Sequence, residues 1–179
     1  MTHPFMKAVA EGLAGRGIAT LRYQFPYMDQ GRRRPDSPAV AQATVRAAVA
    51  AATQLCPGLP LFAGGKSFGG RMTSQAQAAA PLPGVRGLIF LGFPLHPAGK
   101  PGAGRADHLA EVQVPMLFVQ GGRDVLAEPG LLAGVLKGLG PLATPHSIPA
   151  ADHGLHVPVR SGRTDAEVLT ETLDAAAAW

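Results

Sequence analysis

The stretch Leu61-Phe-Ala-Gly-Gly-Lys-Ser-Phe-Gly-Gly70 constrains this chain more than any other. An apolar run ends in glycines, meets Ser67, and continues through more glycines into an Ala-rich segment. That order reads as a strand turning sharply into a helix, with Ser67 at the apex of the bend. Such a bend strains the apex backbone and exposes the hydroxyl. Crowding leaves room only for small residues two positions to either side, here Gly65 and Gly69. The backbone N–H of Phe68 opens the helix and faces the same point, where a helix N-terminus suits a developing negative charge. A glycine-rich turn with an idle Ser67 is the plainer alternative. A phosphate loop is a third, because Gly65-Lys66-Ser67 matches the end of G-x-x-x-x-G-K-[ST]. That motif needs a glycine where this chain has Pro60, and a loop where it reads as strand.

Around this turn, strands and helices alternate, which predicts a three-layer α/β fold with a doubly wound, mostly parallel sheet. Pro4 opens a helix in which Phe5, Val9 and Leu13 recur every fourth residue until Gly15 and Gly17 stop it. Ile18–Phe25 reads as a strand closed by Pro26, and 27–36 as a polar loop. Ser37-Pro38 begins an Ala-rich helix that runs to about Leu55. The elbow strand follows over 59–64, then a helix over 68–80. Val85–Phe93 reads as a strand buried on both faces, and the Pro- and Gly-rich 94–105 as an irregular loop. A strand over 114–120, a short helix over 131–139, a strand over 143–148 and a closing helix over 164–179 complete the chain. With no internal repeat and no dividing linker, residues 1–179 read as one domain.

A serine hydroxyl is a poor nucleophile by itself, so a base and an orienting carboxylate should follow in the order Ser, Asp/Glu, His. Asp124, in Gly121-Gly-Arg-Asp124, falls just past the 114–120 strand. That is the carboxyl end of a parallel strand, where such sheets place their sites. His153, in Ala150-Ala-Asp-His-Gly154, follows the last strand at the same edge. Asp107 and Glu111 precede a strand and so face the wrong end. Asp152 adjoins His153 and is placed for local capping rather than for the relay. His156, near His153, suggests a metal pair, but no further ligand cluster accompanies it. His96, His108 and His146 are expected on surface loops or strand ends. Cys56, at a helix end beside Pro57, is read as structural.

The composition narrows the function classes. Over 179 residues, hydrophobic residues make up 46% and charged residues 16%, enough apolar material for a covered sheet. A single cysteine excludes an internal disulfide framework and fits a reducing compartment. Met1-Thr2-His3-Pro4 begins no targeting signal, and no stretch reaches the ~18 apolar residues of a membrane span. A soluble cytoplasmic protein with no membrane partner is the expectation. The net charge of +4 includes Arg32-Arg33-Arg34, the only basic cluster, set in a Gly/Pro/Asp-bordered loop. Nucleic-acid binding would require a continuous basic stripe with aromatics, so no nucleic-acid partner is expected.

Gly64-Gly-Lys-Ser-Phe-Gly-Gly-Arg-Met72, Leu91-Gly-Phe-Pro-Leu-His-Pro97, Met116-Leu-Phe-Val-Gln-Gly121 and Asp152-His153 together resemble a family of small bacterial α/β-hydrolases. That family is related to the dienelactone hydrolases. It is also related to a eukaryotic hydrolase-like domain found in a testis-expressed protein and in a histone-acetyltransferase complex subunit. The resemblance covers essentially the whole chain. It implies Ser67 as nucleophile, Asp124 as orienting acid and His153 as base. Family members usually begin with one or more strands and a His-Gly loop that supplies a second oxyanion N–H. Here Met1 stands just before the first helix, and neither feature is seen. Two readings are open: the sequence is a fragment or carries a misassigned start, or Ile18–Phe25 pairs directly with the elbow strand.

The expectation is therefore a serine hydrolase of a small ester, thioester or lactone. It needs no cofactor and no metal, and its triad is Ser67, His153 and Asp124, with the Phe68 N–H in the oxyanion hole. A hydrolase-like interaction domain without turnover is the rival from another class. An uncovered sheet edge would also permit homo-oligomers.

Overall fold

A computed structural model describes residues 3–179. Met1 and Thr2, where no targeting signal was read, lie outside them. Helix α1 (Pro4–Ala14), the single turn α2 (Pro26–Asp29) and helix α3 (Pro38–Leu55) precede strand β1 (Leu61–Lys66). Then come α4 (Phe68–Ala79), β2 (Val85–Leu91), β3 (Met116–Gly121), α5 (Pro129–Leu139), β4 (Ala143–Ile148) and α6 (Asp165–Ala178). Helices α1, α3 and α5 carry a proline in the first turn, where its missing N–H costs nothing. At α6 a capping box does the same work: the Thr164 hydroxyl accepts from the Glu167 N–H, and the Glu167 carboxylate accepts from the Thr164 N–H.

The four strands pair in parallel in the order β1-β2-β3-β4. Parallel pairing sends each connection across a face of the sheet, so both faces are covered. On one face α3, α4 and α5 close over Phe90 and Phe118, with Val45, Met72 and Leu132 among the buried contacts. On the other, α1 and α6 close over Leu117 and Val119 through Val9, Val168 and Leu173. The alternation of Leu117, Phe118 and Val119 between the two cores is the period of two expected of a strand. All six residues of β3 are buried, and complete burial of a side chain such as Phe118 contributes about 1.5–3 kcal/mol. The chain is thus an α/β fold of three layers around a parallel sheet.

Three sequence expectations change. Ile18–Phe25 is not a strand: it runs irregularly up to α2, and among the described residues β1 pairs only with β2. Its aromatic content serves packing rather than a ladder, which is why β propensity misleads here. Phe25 is buried, Tyr23 and Phe68 sit edge-on to its ring at 5.6 and 5.2 Å, and Tyr27 stacks on it at 6.4 Å. The expected 27–36 loop opens with α2, because Pro26 presets a helical first turn. The elbow strand runs to Lys66 instead of ending at Gly64.

Candidate active site

Ser67 occupies the one-residue hinge between β1 and α4, at φ 49° and ψ −113°. Only Ser67 and Leu155 among the described non-glycine residues have positive φ. A non-glycine residue there is strained by roughly 1–3 kcal/mol, cost that the surrounding packing must offset. Gly65 precedes it at φ 153°. The crowding expected at Gly69 falls one residue later. A Cβ on Gly69 would meet nothing within 4 Å, whereas one on Gly70 would come within 2.7 Å of the Gly65 carbonyl oxygen. The tight spot is therefore where α4 crosses back over β1, not the residue two beyond the serine. Phe68 opens α4, so its N–H has no acceptor inside the helix and faces the serine end.

Asp124 and His153 arrive on the loops after β3 and β4, at the same carboxyl edge. Ser67 Oγ lies 2.7 Å from His153 Nε2, and His153 Nδ1 lies 2.7 Å from Asp124 Oδ2. Asp124 is buried to 2% exposure while the His153 ring is about one-fifth exposed. A buried carboxylate needs donors for its lone pairs, and Asp124 has them. The Leu126 N–H donates to Oδ1 at 2.8 Å, and the Gln120 side-chain amide donates to Oδ2 alongside the imidazole. This arrangement can move a proton off Ser67 and hold the resulting imidazolium.

Several supporting residues escaped the sequence reading. Gln120 is a buried polar residue in an otherwise apolar strand, and that contrast is a usable signal. Its carbonyl accepts from the Phe93 N–H at 2.8 Å while its amide reaches Asp124. Gly92, at φ 73°, leaves room for the histidine loop, since a Cβ would come within 2.9 Å of the His153 carbonyl oxygen. Lys66 ties the elbow to that loop: its Nζ donates to the Gly154 carbonyl at 2.9 Å and stands 4.2 Å from the Phe5 ring centroid. Burial lowers the Lys66 pKa, and the Asp152 and Asp124 charges partly offset this. Asp152 itself caps the turn, its Oδ1 accepting from the Gly154 and His156 N–H groups at 2.7 and 3.0 Å.

The other histidines do not converge on this site. His96 is buried rather than on the surface. Its ring is held by the Pro97 carbonyl and by Glu128, and both interactions raise its pKa. His146 lies within β4 and pairs with Glu171 at 3.0 Å, while His156 pairs with Asp165 at 2.7 Å. No group of three or more His, Cys, Asp or Glu residues among those described is placed to hold a metal. Cys56 is exposed at the end of α3, outside either core. In the basic loop Arg32 pairs with the buried Asp36 at 2.6 Å, which leaves Arg33 and Arg34 on an exposed rim. A cleft of about 500 Å³ is lined by His146, Glu171 and Asp174, and one of about 230 Å³ by Phe5, His156 and Asp165. Neither includes a residue of the Ser67–His153–Asp124 relay. No described helix is long and apolar enough to cross a membrane.

A parallel sheet covered on both faces, with a serine at a strand-to-helix elbow, defines an α/β hydrolase. The chain belongs to the alpha/beta hydrolase domain family, whose profile matches residues 1–179. Among solved structures it resembles an α/β serine hydrolase without lid from Xanthomonas campestris, with a TM-score of 0.74 at 22% identity. That match covers 100% of this chain and 75% of the other. An α/β serine hydrolase homologue from Coxiella burnetii aligns at TM-score 0.73 and 18% identity, covering 95% of this chain and 74% of that one. An esterase domain from Rhodothermus marinus aligns at 0.67 and 16%, covering 98% and 78%. At these identities the solved structures speak for the fold.

Proposed function

We propose that this chain is a serine hydrolase that cleaves a small ester, thioester or lactone through Ser67, His153 and Asp124. The observation that carries this reading is the unbroken relay of two 2.7 Å contacts linking hydroxyl, imidazole and buried carboxylate. Hydrogen-bonded side chains at such distances are what nucleophilic catalysis requires of a serine. His153 Nε2 takes the Ser67 proton as Oγ attacks the substrate carbonyl. Asp124 holds the Nδ1 proton and steadies the imidazolium. The Phe68 N–H donates to the oxyanion of the tetrahedral intermediate. Collapse of that intermediate expels the alcohol or thiol, which leaves with the proton from His153, and an acyl group stays on Ser67. Water then repeats the sequence, giving up a proton to His153 as it attacks, and Ser67 recovers its proton as the acid departs.

A panel of short-chain p-nitrophenyl esters tests this directly. Wild type should hydrolyse at least one of them, and Ser67→Ala should fall to the buffer rate. Equal rates for the two proteins would overturn the assignment of Ser67. No turnover by either would leave the rival reading, a hydrolase-like domain that works by binding.

A further inference from the structure

A second polar cluster stands one helical turn beyond Ser67, and it is incomplete. Arg71 follows Ser67 by four residues on α4, so the two lie on one helix face, about 6 Å apart along the axis. Side chains of a helix lean toward its N-terminus, which aims Arg71 back at the serine end. Its guanidinium packs over the Phe68 ring at 5.7 Å, and its Nε is buried with no hydrogen-bond partner. Arg105, on the loop after β2, donates from Nη1 to the His96 carbonyl at 3.0 Å. That bond holds it against the same rim, near enough for its charge to weigh on Arg71. The Arg71 pKa is lowered first by burial and then by Arg105. His108 closes the cluster, its Nε2 2.7 Å from the Ser74 hydroxyl.

The nearby carboxylates do not neutralise this pair. Among the described residues neither arginine forms an ion pair. Glu128 is bound to His96, and Asp107 is exposed, where solvent screens its charge. A buried donor without an acceptor, beside a second like charge, is an arrangement a folded chain avoids unless a ligand completes it. The group that would satisfy both is an anion with two oxygens, which a guanidinium fork receives in a bidentate manner. A singly charged carboxylate suits this half-buried position better than a doubly charged phosphate, because the cost of desolvation rises steeply with charge.

We propose that Arg71 and Arg105 form an anion subsite beside Ser67 that takes the free carboxylate of an acidic ester, such as the monoester of a short dicarboxylic acid. This deepens the hydrolase reading, since the carbonyl under attack would be the one next along the acyl chain. Phe68 then has two uses: its backbone N–H faces the oxyanion, and its ring supports the guanidinium that fixes the far end of the acyl group.

Two measurements separate this proposal from the reading beneath it. The first titrates monomethyl succinate into Ser67→Ala by calorimetry, with no turnover involved. Saturable binding is expected, weakened at least tenfold when Arg71→Gln or Arg105→Gln is added. Inorganic phosphate at the same concentration should bind more weakly. The second compares p-nitrophenyl hemisuccinate with p-nitrophenyl butyrate in wild type, Arg71→Gln and Arg71→Lys. The preference for the anionic ester should fall at least tenfold in Arg71→Gln and less in Arg71→Lys, which also serves as the folded control if the glutamine variant melts. Binding that is absent in Ser67→Ala, or unchanged by both arginine substitutions, would overturn the subsite, as would tighter binding of phosphate. Failure of the hydrolase reading looks different: arginine-dependent binding of monomethyl succinate with no Ser67-dependent hydrolysis of either ester.

Discussion

Two polar clusters share the carboxyl edge of this sheet, and they are finished to different degrees. In the relay, each group has its partners within the chain. Asp124 receives the Leu126 N–H, the Gln120 amide and the His153 ring, and His153 reaches Ser67. One turn along α4, Arg71 has a buried Nε with no acceptor and a second guanidinium nearby. The contrast teaches where each cluster finds its counter-charge. The relay carries its own and is organised before any substrate arrives, whereas the arginine pair requires an anion from outside. Preorganised groups cost no rearrangement at the moment of reaction; incomplete ones convert binding into selectivity.

The contrast is open to attack from the relay side first. Ser67→Ala removes the proposed nucleophile, and a loss of about 10⁶-fold in kcat is expected from steady-state rates. Asp124→Asn should cost about 10⁴-fold, because the amide no longer holds His153 in the tautomer that accepts the serine proton. If Asp124→Asn kept near-full activity, the closed network around that carboxylate would have no catalytic meaning. Lys66→Met tests the tether between elbow and histidine loop. It should lower kcat roughly 10- to 100-fold through misplacement of His153, with KM little changed. A rise in KM alone would move Lys66 out of the positioning role.

The smallest effect is on stability and lies in the second cluster. Burial, with help from Arg71 and against the pull of Asp107, lowers the His108 pKa to about 4 from 6.5. Between those values the unfolded chain binds more protons at this position than the folded one, so stability rises with pH across that window. The urea midpoint of wild type should therefore fall as pH drops from 6.5 toward 4, and the decline should be shallower in His108→Gln. Identical slopes would mean that His108 is not held neutral. If the arginine cluster binds a carboxylate, monomethyl succinate should also raise the midpoint at neutral pH, an effect lost in Arg71→Gln.

Much of this was legible from residue order alone. The elbow could be read because strand, glycines, serine and helix signals coincide within ten residues, and Asp124 and His153 because parallel strands present their carboxyl-end loops at one edge. The Ile18–Phe25 segment misled for the opposite reason. Its aromatics carry β propensity, but Tyr23 packs on Phe25 and Phe25 on Phe68, and a ladder depends on a neighbouring strand that a local pattern does not reveal. Gln120, Gly92 and Arg71 take their meaning from distant partners, the Phe93 N–H, the His153 carbonyl and Arg105 respectively. Local spacing carries no record of contacts across 27 or 61 positions. The crowding assigned to Gly69 rather than Gly70 shows the same limit at short range, because it depends on how α4 crosses back over β1.

The most direct test of the relay is to react the protein with a fluorophosphonate and map the modified peptide by mass spectrometry. Modification should fall on Ser67 and be abolished in His153→Ala, which keeps the hydroxyl but removes the base. A protein modified on another residue, left unmodified, or labelled equally well without His153 would contradict a serine activated through that imidazole.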